Sequence, residues 1–426
     1  LKPTNFLIQN ARLIQQGHPL HLQNVNVYLE NGIIRNLGTE EIEVGSETQR
    51  IEAEGYILSP GWVDLYSTIP DPGAEYKETL TSFQNASEAG GFTHVCVQPD
   101  EISNRKSRSD IESGVNRSSG RVTQLHFFGM VENDANPDNL NELMDMRSGG
   151  AVGFSNGKKG YQHPGLMSRA LLYTKPKKSI LAAFPRNRYY GQRGVVNESE
   201  TTIHAGLKTD PPVGEYTEVY RQIELARYHD SPLHISMIST RESVDLVAKA
   251  KKEGVPITCD VSIMNLCFTD EAVLGYDTRY KTLPPLRTKE DQTALIEGVK
   301  TGVIDAIVSD HSPEDTESKR IEFDFAEPGS STIQTLFAFY RKFLSDQLKV
   351  EEFIHRISLG PASVFALECG LSEGLSADLT LIDPNVKWEF NRESNYSSSQ
   401  NNPLLGTELI GRPILTVRGQ HYWSDL

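Results

Sequence analysis

From Pro60 to Ser309 the chain repeats one pattern: a short apolar run, then a longer stretch whose apolar residues recur on a helical face. The runs are Trp62 to Leu65, Thr93 to Gln98, Gln124 to Gly129, Ala151 to Phe154, Ile180 to Phe184, Leu233 to Met237, Pro256 to Val261 and Ile304 to Ser309. Such alternation predicts parallel βα units, and eight of them close a (β/α)8 TIM barrel. The helical period is clearest over Tyr216 to Tyr228, Glu242 to Glu253 and Lys289 to Lys300. An open doubly wound sheet is the rival fold, but no Gly-x-Gly-x-x-Gly follows the first run and no Walker-type loop occurs.

The flanks read differently. Residues 1–54 carry short strands with turn signals, among them a Glu30-Asn31-Gly32 hairpin. Strand character returns over 370–426, interrupted by a Ser- and Asn-rich loop from Asn391 to Asn402. The expected organisation is therefore a barrel over 55–369, finished by helices at Leu336 to Phe343 and Val350 to Leu367. The two terminal β units are expected to pair into one small composite β-sandwich domain.

A formal net charge of -15 opposes binding to nucleic acid or to an anionic membrane, because both are repelled at long range. No apolar run is long enough to span a bilayer and the N-terminal residues lack a signal-peptide core, so a cytoplasmic protein is expected. Cys96, Cys259, Cys267 and Cys369 are scattered without a Cys-x-x-Cys, which predicts reduced thiols rather than disulfides or a cysteine zinc site.

The apolar run that ends in Val-Asp-Leu-Tyr66-Ser-Thr68 and continues to Asp71-Pro72-Gly73 resembles the first barrel strand of the dihydroorotases and related cyclic amidohydrolases. Lys77-Glu78-Thr79, Leu233-His234-Ile235, Pro284-Pro285-Leu286-Arg287-Thr288, Ile304 to Pro313 and Ala377-Asp378-Leu379 extend the resemblance along nearly the whole chain. It implies a zinc-dependent amidohydrolase barrel, homodimeric, with aspartate transcarbamoylase as an associated partner in pyrimidine synthesis.

The resemblance also assigns positions to the metal and the substrate, and most of them hold unsuitable residues. Tyr66 and Thr68 stand where the family has a His-x-His pair, Asn156 where a bridging aspartate is expected, and Phe184 and Met237 where two further ligand histidines are expected. Asp310 is the one matching metal position. Substrate positions read Pro70, Asp100, Leu283 and Glu314, two of them acidic where the family holds an anion. Zinc-hydroxide chemistry needs at least three His, carboxylate or thiolate donors. The sequence therefore predicts no metal, no zinc cofactor and a non-catalytic structural or regulatory subunit.

Two other outcomes stay open at this level. One is an active cyclic-amide hydrolase with an atypical site built on Asp310. The other is a ligand-binding protein whose old pocket is lined by Tyr66, Phe184 and Met237. Asp310-His311 can be an acid/base pair or a structural one, and His234 a ligand or a satisfied core residue. Gly153 to Gly157 matches the Gly-x-Ser-x-Gly elbow, which would require a helix directly after Ser155. Arg186, Arg188, Tyr189, Tyr190 and Arg193 form a cluster suited to interfaces or anions.

Overall fold

The computed structural model describes residues 5–100, 102, 105–133, 136–177, 179–191 and 194–426. All eight expected strands form: β1 (Trp62–Ser67), β2 (Phe92–Val97), β3 (Gln124–Met130), β4 (Gly153–Ser155), β5 (Ile180–Ala183), β6 (Leu233–Ile235), β7 (Ile257–Ser262) and β8 (Ala306–Val308). They lie in one sheet in chain order, every recorded pair parallel. Each of β1 and β2 is buried along its full length, which is why these strands read as continuous apolar runs rather than alternating ones. Val63, Leu65, Cys96, Phe128, Ala182 and Ala306 belong to one apolar cluster of the barrel strands, while Trp62, Phe92, Phe127 and Phe154 join the core shared with the helices.

Closure between β8 and β1 is made mainly by a side chain. The buried carboxylate of Asp64 accepts the Ser309 amide at 2.9 Å and the hydroxyls of Ser67 and Ser309, each at 2.6 Å. Ser67 and His311 add a single parallel bridge just beyond the strand ends.

Helices occupy Val213–His229, Arg241–Lys252 and Lys289–Thr301, where the periodicity puts them. Thr240 and Thr288 accept hydrogen bonds from the third backbone amide of the helices they open, so the sequence marks both starts. Two expected helices differ in detail. Leu336–Phe339 continues as a π-helical turn over Tyr340–Leu344, and the Val350 segment breaks at Ser358 into Val350–Ile357 and Leu359–Val364.

Both termini contribute to a second eight-stranded sheet, in which Asp378–Phe390 runs antiparallel to Ile57–Pro60, the strand just before β1. The hairpin turn forms with Asn31 at φ 51° and Gly32 at φ 78°, and a Cβ on Gly32 would lie 2.4 Å from the Gly419 carbonyl carbon. His94 of β2 is 2.9 Å from the Asp378 carboxylate, and the Thr380 and Thr416 hydroxyls donate to the carbonyls of Gly91 and Glu88. These contacts fix the terminal sheet to the barrel. Among the described residues no helix is long and apolar enough to cross a membrane.

Candidate functional site at the barrel mouth

Side chains that follow the C-terminal ends of the parallel strands converge, as in any barrel of this type, and the predicted site residues can be located one by one. Asp310, after β8, is 3% exposed and holds φ 52°. Its carboxylate lies 2.7 Å from the ammonium of Lys158, which also donates to Ser312 Oγ at 3.2 Å and sits 5.8 Å over the Tyr66 ring. Burial raises the Asp310 pKa while Lys158 pulls it back. Lys158 belongs to a 3₁₀ turn, Gly157–Lys159, that follows β4. The turn fits only because residue 157 is glycine: φ is +54° and a Cβ there would stand 2.0 Å from the Pro99 carbonyl oxygen.

The other assigned metal positions are occupied by side chains with structural partners. Tyr66 is 1% exposed, and its hydroxyl meets no hydrogen-bond partner among the described residues. Burial, with Asp310, Asp260 and Asp100 nearby, keeps that phenol protonated. Thr68 is tied to the His311 carbonyl through its amide at 2.9 Å and its hydroxyl at 3.3 Å. Asn156 accepts the Glu132 amide at 3.0 Å and donates to the Gly160 carbonyl at 3.3 Å, linking the loops after β3 and β4. Phe184 and Met237 are buried in the cluster that holds Tyr66. Met237 has φ 53° and donates its amide to Asp260 at 2.6 Å.

The notion of a ligand pocket lined by Tyr66, Phe184 and Met237 is corrected here, because none of the three lines the mouth cavity. Their side chains pack with the apolar barrel cluster, and the open space lies elsewhere. That cavity, about 470 Å³, is lined by Thr68, Lys77, Lys158, Arg186, Leu283 and Glu314 among others. Of the assigned substrate positions, Pro70, Asp100, Leu283 and Glu314 all border it. Glu314 is paired with Lys77 at 2.7 Å, and its pKa is raised, chiefly by burial.

His234 is a satisfied core residue, 2.8 Å from Asp260 Oδ2 and 2.9 Å from Thr258 Oγ1. His311 faces Glu78 at 3.4 Å and packs on Phe83, away from Lys158, so Asp310 and His311 do not act on one point. No elbow forms at Ser155: its buried hydroxyl accepts the Gly157 amide at 3.0 Å, and the next α-helix starts only at Pro164. Arg193 lies outside the described residues.

Several groups at the mouth were not singled out by sequence reasoning. They are Lys158, Asp260, Glu132, which takes Lys159 at 2.6 Å, and Glu78, which accepts the Ser398 amide at 3.0 Å. The last contact comes from the polar 391–402 loop, which also fastens Ser399 to the Glu314 carbonyl and Asn401 to the Ser312 carbonyl.

As a donor set for the divalent metal that the resemblance implies, these residues do not fit. A phenol, a hydroxyl, an amide, a phenyl ring and a thioether surround one carboxylate already committed to an ammonium. Among the described residues no three His, Cys, Asp or Glu side chains are grouped so as to hold a metal ion.

Over 419 residues, 97% of this chain and 98% of the relative, the sequence is 32% identical to a dihydroorotase from Geobacter metallireducens. The chain belongs to the dihydroorotase-like family. A family profile described as Dihydro-orotase-like matches residues 55–243 of this dihydroorotase-like chain, and a dihydroorotase from Carboxydothermus hydrogenoformans is 31% identical over 97% of the chain and 96% of the relative. An L-hydantoinase (dihydropyrimidinase) from Arthrobacter aurescens superposes with a TM-score of 0.85 at 17% identity, covering 99% of this chain and 96% of that one. A dihydropyrimidinase from Brevibacillus agri gives 0.82 at 19%, covering 98% and 95%. These two share the amidohydrolase barrel fold with this dihydroorotase-like chain.

Proposed function

We propose that this dihydroorotase-like chain is a non-catalytic member of its family, a structural or regulatory subunit that keeps the barrel and has lost the metal centre. The observation that carries this is the 2.7 Å ion pair between Lys158 and Asp310. Opening a cyclic amide needs an activated water, and the family activates it on a metal whose ligand and base include the aspartate after β8. Here a fixed ammonium already supplies the positive charge beside that carboxylate. Being a side chain, it has no open coordination position at which to hold a water.

The substrate positions support the same conclusion. Glu314 and Asp100 stand at two positions that would have to hold the family's anionic substrate, and an acid at such a position does not hold an anion as the family's residues do. An active hydrolase with an atypical site would have to use Asp310 after displacing Lys158 from it. The partner proposed by family analogy is aspartate transcarbamoylase, with the chain itself a homodimer.

The test is a dihydroorotase assay run in both directions with added zinc. Turnover indistinguishable from a buffer blank is expected, and zinc-dependent turnover would contradict the proposal. Co-expression with the aspartate transcarbamoylase of the same host should give a complex stable through gel filtration. Elution of the two proteins apart would remove the proposed partner.

A further inference from the structure

Three lysines border the mouth cavity, and each is met by a carboxylate: Lys77 by Glu314, Lys158 by Asp310 and Lys159 by Glu132, at 2.6 to 2.7 Å. The other acids of the cavity have cations near them as well. Asp100 is the first of the charges acting on the buried Arg105 guanidinium, and Glu327 lies in the field of Lys77, Lys281 and Lys319.

Two guanidinium groups after β5 remain poorly matched. Arg186 comes no nearer than 3.9 Å to Asp210, which is already 3.6 Å from Arg287, and the Arg186 Nε is buried with no hydrogen-bond partner among the described residues. The Arg188 guanidinium is exposed, bonds the neighbouring Tyr189 hydroxyl at 3.3 Å, and has no carboxylate within ion-pair distance among the described residues. Both arginines border the same cavity.

We propose that Arg186 and Arg188 form a binding site for a small metabolite carrying a carboxylate or phosphate oxyanion, seated in the mouth cavity. A guanidinium presents a planar fork of N–H donors that matches an oxyanion, and a buried N–H without a partner is the group that gains most from one. In a chain of net charge -15, arginines without a close carboxylate partner at the rim of a cleft give local attraction for a small anion that the rest of the surface repels. These are other residues than the positions the family resemblance assigns to the substrate. The site does not depend on the loss of the metal, so the two proposals fail separately: one by metal and turnover, the other by anion binding.

Thermal unfolding of the full chain, titrated with malonate and separately with inorganic phosphate, tests the site, with sodium chloride of equal ionic strength as the reference. A saturable rise in Tm is expected with at least one of the two anions, and the stronger one identifies the head group as carboxylate or phosphate. The half-saturating concentration should increase on the order of tenfold in Arg186→Gln and in Arg188→Gln, the loss of one charge-assisted hydrogen-bonding group. Arg188 is exposed, so Arg188→Gln decides the matter alone if the other variant does not fold. The site is overturned if neither anion raises Tm, if chloride reproduces the rise, or if the half-saturation point is unchanged in the variants.

Discussion

Asp310 is buried, strained at φ 52°, and answered by one ammonium. A carboxylate in that position is tolerable only while its counter-ion stays, because breaking a largely buried pair leaves an uncompensated charge. Lys158→Met is therefore expected to cost about 3 kcal/mol in urea unfolding at pH 7.5. The double variant Lys158→Met/Asp310→Asn should recover most of that loss, since a neutral amide has no charge to compensate. The sign of the pH dependence follows from burial. A carboxyl whose folded pKa lies above its unfolded value contributes favourably below the unfolded value, and the contribution is lost as pH rises through the folded one. Asp310 is shifted upward already, and without Lys158 it moves further, so the deficit of Lys158→Met should shrink as pH is lowered. A deficit independent of pH, or no deficit at all, would mean that the lysine is not the counter-ion described here.

At the scale of elements, the seam between β8 and β1 and the joint between barrel and terminal sheet each rest on a buried titratable group. Asp64 accepts two hydrogen bonds from Ser309 across the seam and a third from Ser67 on its own strand, and its pKa is pushed up to about 6 from 3.8, chiefly by burial. Asp64→Ala should cost about 3 kcal/mol, because it leaves the Ser309 amide and two buried hydroxyls unpaired. At the joint, His126 lies 3.0 Å from His94, which in turn meets Asp378, and burial followed by His94 lowers the His126 pKa to about 3 from 6.5. A depressed histidine contributes stability that is present above the unfolded value and is lost as pH falls toward the folded one. Asp64 works in the opposite sense over part of that range: its contribution is full below 3.8 and is lost as pH rises through about 6. His126→Asn should accordingly lose less Tm than the wild type between pH 6.5 and 4, as read by scanning calorimetry. Parallel profiles would place the acid sensitivity elsewhere.

The same elements explain how much could be read in advance. All eight barrel strands were legible because β1, β2 and their neighbours are buried on both faces and leave unbroken apolar runs. The hairpin was legible because Asn31 and Gly32 are the residues that accept positive φ. Lys158 was not legible as the partner of Asp310. Its direction depends on a 3₁₀ turn whose approach to Pro99 is allowed by Gly157, and no local pattern encodes a contact between the β4 and β8 loops. Likewise the Ser- and Asn-rich 391–402 segment was legible as a polar loop, but not that its hydroxyls and amides satisfy buried groups of the mouth such as Glu78.

For the whole molecule, the terminal sheet holds the barrel through His94, Thr380 and Thr416, and sends the 391–402 loop to the mouth. The mouth is thus braced on both sides, and its three lysines are each held by a carboxylate. Aspartate transcarbamoylase as partner and the anion site at Arg186 and Arg188 are separate proposals, and either can fail without the other. The central claim is that too few donors converge at the barrel mouth to grip a divalent cation. Elemental analysis of the chain, purified without chelators, incubated with zinc and passed through gel filtration, tests it most directly. Zinc well below one equivalent per chain is predicted, the same in wild type and in Asp310→Asn. Stoichiometric zinc that is retained by the wild type and lost in Asp310→Asn would contradict it.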